Sequence, residues 1–507
     1  MGRLKKRLIY TPIGSFLLFS LYGLILPVKK LQLFFPDDAY FYIKTAMNIR
    51  LGMGSTFDGL NATNGYHPLY LIWLCLAAWV KNLSAPGGLY LVWILDSLLF
   101  VGFLYLLGRF LKKCGLSAFS RWLVMMLCAI LLGMYDFGNE SRLLLPLAWG
   151  LAVFTQSSLE HSAQRPFLFS SLACLVFLAR LDAILWVGFL GLLWWRCWRR
   201  QGVKGAELVR RTASLCIPLG VVMAGYFVYN QLLYGNPATV SSMQKFGWPG
   251  VFATRWLFTA SPSLQARFLF AGCTAWAYLI WQARHQNDQS ACSSFAILNS
   301  LSVYALLYLT VLVFWGRGEI RFWYFVLPVS VALVIWGLWL DHLGRRIRPL
   351  TRWSLRLILS LAVLFFFIAT VHKKVTWTGR SDAYEMAQWM RHHTPPAARF
   401  FQVDGCGVTG YFSDRTVING DGLINSFEYQ RILLRGELLN YLVEKKVDYL
   451  IWNRYQQGSP IAIPIPLKDC RGYLLTFVRP PEILVSFGSL ILVRADQENI
   501  KLVAIRS

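Results

Sequence analysis

The sequence predicts a polytopic α-helical membrane protein with a soluble α/β domain at its C-terminal end. Of its 507 residues, 56% are hydrophobic and only 15% are charged, whereas soluble domains carry about 25% charged residues. Apolar runs long enough to cross a bilayer recur between residues 8 and 371. From Lys373 onward, short helical and strand patterns alternate. We therefore divide the chain into a membrane module, residues 1–372, and a C-terminal domain, residues 373–507.

Eleven apolar segments are predicted to span the membrane. They lie near residues 8–28, 89–108, 117–135, 143–159, 165–180, 182–198, 213–234, 266–283, 295–315, 322–341 and 355–371. One set of alternate loops carries 21 Lys and Arg residues with four acids, and the opposite set carries 12 with seven acids. The positive-inside rule places the first set and the N-terminus in the cytoplasm. An odd number of spans then places the C-terminal domain outside.

The apolar segment from His67 to Leu83 does not fit this alternation. A crossing here would move the basic loop with Lys112 and Lys113 to the outside. We expect the segment to lie along the outer surface or to re-enter from it, within a first outer loop of residues 28–87.

The net charge and the cysteine content bear on whether the protein binds nucleic acid or zinc. The net charge of +25 resides in short loops between spans, which favours membrane orientation over nucleic-acid binding. The ten cysteines are scattered and form no zinc-binding pattern. Cys406 and Cys470 are expected either to pair with each other or to remain free thiols.

In the C-terminal domain, apolar spacing predicts a helix over residues 381–393, with Ser381 as its N-cap. Strand patterns at 399–404, 415–418, 447–452 and 489–493 and a helix over 428–445 complete a small α/β domain of about 130 residues. The Gly-rich turn Asn419–Asn425, which contains Asp421, either contacts a sugar or is a simple turn.

The adjacent carboxylates Asp37 and Asp38, which follow the first span, are the candidate catalytic residues. An Asp at the start of the helix expected over Ala39–Arg50 can act as an N-cap. Two neighbouring acids, however, repel each other and raise one pKa. A raised pKa suits a general base that removes a proton from a hydroxyl group. We favour Asp38 as the base because Asp37 is better placed to cap the helix.

Four residues of the outer loops are candidates for binding a phosphate group: His67, Lys245, Arg317 and Arg321. Arginine binds phosphate oxygens with two parallel N–H groups. The alternatives are an interfacial histidine and cations that anchor the chain at lipid headgroups. Because cations in outer loops run against the usual charge bias, they favour an anion site.

Glu140, Arg180 and Asp182 are candidates for contacts to a substrate or for support of the site. Glu140, at the outer end of a span, fits a helix cap equally well. Arg180 and Asp182 lie in a tight turn between two short spans, where they either form a structural salt bridge or line an outward-facing polar cavity. The gathering of polar residues at the outer ends of spans predicts one such cavity.

Several blocks of the sequence resemble the GT-C superfamily of glycosyltransferases, which includes protein O-mannosyltransferases, lipid A aminoarabinose transferases and mycobacterial arabinofuranosyltransferases. The resemblance rests on an outer first loop with the acidic pair Asp37-Asp38 and a helix after it. Further blocks are similar to a bacterial branch near the arabinofuranosyltransferases: Asn64-Gly65-Tyr66-His67-Pro68-Leu69, Leu178–Ala183, Tyr229–Ser241 and Asn419–Asn425. Together they cover most of the chain, and none of them specifies the sugar.

The resemblance implies transfer of a sugar, with arabinofuranose as one candidate, from a polyprenyl-phosphate donor to a hydroxyl group. The acceptor is an extracytoplasmic glycan, lipid or protein, and transfer inverts the anomeric centre. Asp38 or Asp37 is then the base, and Asn64, Tyr66 and Asp421 join the candidate substrate contacts. The implied location is the bacterial inner membrane, with the C-terminal domain in the periplasm.

The acidic pair also bears on whether the protein requires a metal ion. Some members of the superfamily use a divalent cation, but two adjacent Asp residues do not complete a ligand shell, so we expect no required metal.

A transporter or flippase of lipid-linked sugars is the alternative, because it would share the cavity and the cations. Transporters often consist of repeated halves, and this sequence shows no internal repeat.

Overall fold

The computed structural model describes residues 2–160, 165–245, 261–284, 293–315, 320–376, 381–453, 461–464, 472–479, 481–488 and 490–504. Within these residues the chain forms a bundle of long apolar helices and, after residue 380, a domain with two β-sheets. Arg317 and Cys470, both singled out from the sequence, lie outside the described residues.

The membrane module consists of helices joined by short connections. They are α1 (Gly2–Ile25), α2 (Asp37–Arg50), α3 (Pro68–Val80), α4 (Gly87–Lys113), α5 (Ala118–Cys128), α6 (Ser141–Glu160), α7 (Pro166–Ala179), α8 (Ile184–Arg200), α9 (Gly205–Tyr234), α10 (Val240–Lys245), α11 (Pro262–Arg284), α12 (Ser293–Trp315), α13 (Val326–Arg346) and α14 (Pro349–Thr376). Short 3₁₀ helices, Leu181–Ala183 and Phe322–Phe325, precede α8 and α13.

Each of the eleven predicted spans coincides with one of these helices. Among the described residues, six helical segments are long and apolar enough to cross a membrane: Gly87–Lys113, Leu181–Arg200, Gly205–Tyr234, Ser293–Trp315, Phe322–Arg346 and Pro349–Lys374. The other helices are shorter or less apolar. The structure therefore supports a polytopic helical membrane protein, and the count of eleven spans stays a prediction.

Helix α3 is too short to cross a bilayer on its own. Its 13 residues extend about 20 Å at 1.5 Å per residue, less than the ~30 Å of the hydrocarbon core. This length fits the predicted position along or just within the outer surface.

The start of α2 is fixed by the loop between α5 and α6. A Cβ on Gly138 of that loop would lie 2.6 Å from the Cβ of Ala39, so only glycine allows the loop to approach so closely. The Gly138 N–H donates to the carboxylate of Asp96 on α4, which also accepts the hydroxyl of Tyr70 on α3 at 3.0 Å. These contacts hold the acidic pair against the ends of α3 and α4.

The C-terminal domain contains four helices and eight strands among the residues described. They are α15 (Ser381–His393), α16 (Cys406–Phe412), α17 (Phe427–Arg435) and α18 (Leu438–Glu444), with β1 (Arg399–Gln402), β2 (Thr416–Asn419), β3 (Tyr449–Asn453), β4 (Ile461–Pro464), β5 (Gly472–Phe477), β6 (Ile483–Phe487), β7 (Leu490–Arg494) and β8 (Ile500–Ala504). The single helix predicted over 428–445 is interrupted because Gly436 has φ 78° and ends α17.

One sheet has the strand order β2-β1-β3-β7-β6, in which the first three strands are parallel. Strands β4, β5 and β8 form a second, antiparallel sheet. The carboxyl ends of parallel strands meet at one edge of a sheet. The segments after β1 and β2, which contain Asp404 and Asp421, therefore lie together.

This edge of the C-terminal domain packs on the first outer loop. Lys44 Nζ donates to the carbonyl of Gly410 at 2.5 Å, and the Tyr411 hydroxyl donates to the carbonyl of Leu83 at 2.7 Å. Both regions thus lie at the same end of the bundle. Ten helices, α4–α9 and α11–α14, join them through the described residues. An even number of helices returns the chain to the same side if each crosses once.

Candidate active site

Asp37 binds the C-terminal domain to the first loop. It is the first residue of α2, and its two carboxylate oxygens accept the backbone N–H groups of Gly407 and Val408 at 3.0 Å each. A Cβ on Gly407 would lie 2.3 Å from the carbonyl oxygen of Asp37, so a glycine is required here. Burial raises the pKa of Asp37 to about 7, although both hydrogen bonds act to lower it.

Asp38 faces a different group. Its Oδ2 lies 3.8 Å from Nζ of Lys245, the last residue of α10. The side chain of Asp38 is 26% exposed and that of Lys245 is 14% exposed. Asp38 is thus an accessible carboxylate with a cation beside it.

The ring of Tyr324 lies between two cations. Lys245 Nζ is 5.7 Å from the ring centroid and Arg180 Cζ is 4.3 Å from it, within the range of cation–π attraction. Burial alone would lower the pKa of Lys245, but Tyr324, Asp38 and Glu140 raise it above its ordinary value. Lys245 is therefore protonated at neutral pH.

Glu140 is the centre of a buried hydrogen-bond network that includes Arg180. Its Oε2 accepts the Tyr42 hydroxyl at 3.0 Å, and its Oε1 accepts Nη1 of Arg180 at 3.4 Å. Nε2 of His67 lies 3.8 Å from the same Oε1. A buried carboxylate is stable only with such partners, so Glu140 fixes the positions of all three side chains.

His67 precedes α3 and has a defined tautomer. Its Nδ1 accepts the backbone N–H of Leu181 at 3.3 Å, so the neutral ring carries its proton on Nε2. Burial lowers the pKa of His67, while Glu140 acts in the opposite direction. His67 is therefore a neutral donor whose N–H points toward Glu140.

Arg180 and Asp182 form the salt bridge that the sequence left as one of two alternatives. Nε of Arg180 donates to Asp182 Oδ1 at 2.8 Å, and its Nη1 donates to the carbonyl of Trp323 at 2.9 Å. Asp182 Oδ2 accepts the hydroxyl of Tyr308 at 2.7 Å and its side chain stays 26% exposed. Arg180, only 3% exposed, is thus a structural centre, whereas Asp182 still reaches solvent.

Asn64 and Tyr66 connect the first loop to the end of α9. Oδ1 of Asn64 accepts the Val240 N–H at 2.9 Å, and its Nδ2 donates to Asn230 Oδ1 at 3.2 Å. The Tyr66 hydroxyl contacts Ser55 at 2.5 Å and Tyr234 at 3.5 Å. Because Val240 begins α10, Asn64 positions the helix that carries Lys245.

Asp421 lies in the turn after β2, close enough to Asp38 for their charges to interact. Its Oδ1 accepts the Leu423 N–H at 2.9 Å, which is ordinary turn chemistry. Burial raises the pKa of Asp421 to about 7, and the carboxylates of Asp404 and Asp38 add to the rise. Four carboxylates thus influence one another here, yet in the described part of the chain no three His, Cys, Asp or Glu side chains are arranged to hold a metal ion.

The structure brings Asp38, Lys245, Glu140, His67, Arg180 and Asp182 into one connected group, with Asn64 in support. Arg321 lies exposed before the helix Phe322–Phe325. Cys406 is a buried thiol whose sulfur accepts a hydrogen bond from Asn419 at 3.1 Å.

Sequence reasoning missed the tyrosines of the site: Tyr42, Tyr308 and Tyr324. Only Tyr42 had a usable signal, because it lies four residues after Asp38 and so shares its face of α2. The other two belong to a chain with 23 Tyr and 35 Phe residues, in which an aromatic residue in an apolar helix carries no information about a site.

Two solved structures share this architecture over nearly the whole chain. ArnT from Cupriavidus metallidurans, bound to undecaprenyl phosphate, aligns with a TM-score of 0.57 at 11% identity, covering 96% of this chain and 99% of that one. The archaeal oligosaccharyltransferase AglB from Archaeoglobus fulgidus, in complex with an inhibitory peptide and a dolichol-phosphate, aligns with a TM-score of 0.52 at 11% identity, covering 89% and 70%. The mycobacterial arabinofuranosyltransferase AftD aligns at 0.44, too weak a likeness to bear on the sugar.

Sequence comparisons add one match. Residues 371–486 match a family model described as a domain of unknown function, DUF8728. No curated protein sequence matches the chain. The structural likeness, at identities of 11%, shows the fold alone, and it confirms the resemblance seen in the sequence: this chain has the fold of the GT-C glycosyltransferases.

Proposed function

We propose that this chain is a membrane glycosyltransferase that moves a sugar from a polyprenyl-phosphate donor to a hydroxyl group of an extracytoplasmic acceptor. The observation that carries the proposal is the accessible carboxylate of Asp38, on the first loop of a GT-C fold, 3.8 Å from the ammonium group of Lys245. Both solved structures described above contain polyprenyl-type phosphates, which supports a lipid-linked donor.

Asp38 acts as the general base in this proposal. The acceptor oxygen bonds to the anomeric carbon while its proton passes to the Asp38 carboxylate. The bond between that carbon and the phosphate oxygen breaks, and the electron pair leaves with the phosphate. Attack from the side opposite the leaving group inverts the anomeric centre. Asp37 is the poorer base because its two oxygens already accept N–H groups.

Lys245 and Arg321, together with Arg317, are the proposed cationic contacts of the donor phosphate, and the neutral ring of His67 is a proposed hydrogen-bond donor to it. Positive charge at the leaving oxygen stabilises the transition state and removes the need to protonate the phosphate. When the donor binds, Lys245 moves its contact from Asp38 to the phosphate, and Asp38 is left free to accept a proton. Arg180 cannot move in this way, because Asp182, Glu140 and the Trp323 carbonyl hold it.

The remaining groups of the cavity supply substrate contacts. Asp182 and Asp421 are the acids that can accept hydrogen bonds from sugar hydroxyls. Glu140, Asn64 and Tyr66 hold the surrounding helices and loops in position. We propose arabinofuranose as one candidate sugar, a glycan, lipid or protein as the acceptor, and no required metal. The proposed location is the bacterial inner membrane, with this cavity and the C-terminal domain on the periplasmic side.

A transfer assay with purified protein and synthetic polyprenyl-phosphoryl sugars, arabinofuranose among them, tests the proposal. Asp38→Asn keeps the shape of the side chain but removes its basicity. General-base catalysis contributes about 10²–10⁴-fold, and we expect a loss of that size in kcat with a smaller change in KM.

Glu428→Gln is the matched control, because Glu428 is an exposed acid on α17, paired only with Arg431 in the contacts described. We expect it to transfer like the unmodified protein. Full activity in Asp38→Asn would rule out the assigned base. Movement of the intact lipid-linked sugar across vesicles, without transfer, would favour the transporter.

A further inference from the structure

A second group of cations lies on the other side of the short helix Phe322–Phe325. Tyr324 of that helix contacts Lys245 and Arg180, whereas Phe322 contacts Arg267 of α11, whose Cζ is 5.4 Å from the ring centroid. Phe322 also packs on Tyr135, at 6.0 Å between ring centroids. The proposed function uses neither Phe322 nor the two residues that contact its ring, Arg267 and Tyr135.

Asp136 is a buried carboxyl group with several cations around it. It is only 3% exposed, and it is acted on by the positive charges of Arg142, Arg267 and Lys374 and by the negative charge of Glu140. Glu140 is itself held by other partners, described above. Three cations thus gather around one buried carboxyl group.

Buried polar atoms in the group lack hydrogen-bond partners. Within the part of the chain that the structure describes, Oδ1 of Asp136 and Nη1 of Arg267 are buried without a partner. An unpaired buried polar atom is destabilising, so such atoms call for a functional explanation. Burial raises the pKa of Asp136 to about 7, and its carboxyl group is therefore protonated, and able to donate, in a large fraction of molecules.

The group lies at the end of the bundle that carries Asp38, where we expect the membrane surface. The apolar span of α14 ends at Lys374, whose Nζ lies 4.6 Å from the ring centroid of Tyr135 and donates to the Leu33 carbonyl at 3.2 Å. An apolar groove of about 270 Å³ begins at Phe268, next to Arg267, and runs between α11 and α12 past Gly272, Leu309 and Val313. A hydrocarbon chain fits such a lining, and a phosphate fits the cations at the surface.

We propose that Arg267, Lys374 and Asp136 form a second binding site, which takes the phosphate group of a membrane lipid. Arg267 supplies an unused N–H and Lys374 an ammonium group, both suited to phosphate oxygens. Asp136 donates to a further oxygen when it is protonated. The ligand class is an anionic lipid phosphate, whether on a polyprenyl chain or on a phospholipid.

Binding is measured by native mass spectrometry of the purified full-length protein, titrated separately with undecaprenyl phosphate, phosphatidylglycerol and inorganic phosphate. The assay needs no acceptor and no sugar, so its result is independent of the proposed transfer reaction. We expect Arg267→Met and Lys374→Gln each to weaken binding of one of the two lipids about tenfold or more, because each removes a charge-assisted hydrogen bond.

Lys373→Gln is the matched control, since Lys373 is the exposed neighbour of Lys374 on the same helix. We expect unchanged lipid binding in this variant. Arg267→Met also separates a ligand site from a structural role. The Nη1 atom it removes has no partner, so the unfolding temperature without added lipid is expected to stay the same or to rise.

The lipid that responds to the variants identifies the source of the phosphate. Binding of both lipids that is unaffected by Arg267→Met and Lys374→Gln would overturn the proposal. Equal weakening in Lys373→Gln would also overturn it, because the effect would then be general surface charge. A fall in the unfolding temperature of Arg267→Met would show that Arg267 stabilises the fold and is not held in place for a ligand.

Discussion

Asp37 and Asp38 are adjacent in the chain but have different partners. Successive residues of a helix point about 100° apart, so one turn of α2 directs Asp37 to the backbone of α16 and Asp38 to Lys245. A carboxylate whose two oxygens each accept a backbone N–H group holds structure, whereas a partly exposed carboxylate with an ammonium group 3.8 Å away is free to react. We infer a structural task for Asp37 and a chemical one for Asp38.

The raised pKa of Asp37 predicts a pH dependence of stability. Its pKa is about 7 in the folded protein, compared with about 4 in an unfolded chain. Between these values the folded form binds more protons, so the free energy of unfolding falls as pH rises from about 4 to about 7 and levels off above. Asp37→Asn removes this contribution. We expect the difference in unfolding temperature between pH 5 and pH 8 to shrink in the variant.

Other buried acids, such as Asp421, contribute slopes of the same sign. The comparison is therefore between the slopes of the unmodified protein and of Asp37→Asn, measured in the same detergent. Identical slopes would show that Asp37 does not titrate in this range.

At the scale of elements, the contact between α2 and α16 depends on the absence of a side chain at Gly407. Gly→Ala within a helix is otherwise favourable by about 0.5–1 kcal/mol. Here the added Cβ would meet the Asp37 carbonyl oxygen at 2.3 Å, and overpacking costs about 1–3 kcal/mol. We expect Gly407→Ala to lower the free energy of unfolding and to speed amide hydrogen exchange in α16.

Gly225→Ala provides the control, because a Cβ at this position of α9 meets no atom within 4 Å. This variant should leave both measurements unchanged or raise the stability slightly. An unaltered exchange rate of α16 in Gly407→Ala would contradict the close packing at the interface.

The sequence predicts local features of the fold better than the contacts between distant segments. Each apolar span coincides with a helix because hydrophobicity and helix formation are properties of a short stretch. The strands near 399, 416, 449 and 490 were also located, since their β-branched and aromatic patterns are local. The break at Gly436 was missed because a single glycine near a helical pattern gives only a weak signal.

The contacts between the residues of the site are harder to predict from the sequence. The acidic pair, the histidine before Pro68 and the turn with Arg180 stood out because charges are rare beside apolar segments. The bonds from Asp37 to Gly407 and Val408 connect residues 370 and 371 positions apart, and no local pattern predicts them. The group around Arg267 and Asp136 was not identified either, because its members come from α11, from α14 and from the loop before α6, which are far apart in the chain.

At the scale of the whole molecule, the positive-inside rule and the docking of the C-terminal domain give one arrangement. In this predicted arrangement, the first loop and the C-terminal domain lie on one side of the membrane, and the basic loops at Lys112 and Arg346 lie on the other. We expect a membrane-impermeant maleimide added outside intact cells to label a cysteine at Glu428, and not one at Lys112 or Arg346, after subtraction of the label on the native cysteines. Labelling at Lys112 from outside would show that the protein has the opposite orientation in the membrane.

The pairing of Asp37 with a helix that begins at Cys406 has a consequence for how the protein is made. The ribosome completes the acidic pair early, whereas the backbone groups that hold it are synthesised about four-fifths of the way along the chain. The first loop therefore lacks the N–H groups that hold Asp37 until the segment around Gly407 and Val408 has been synthesised and has folded. We expect a truncated product that stops after the last predicted span to contain all of the first loop and yet to lack its final arrangement.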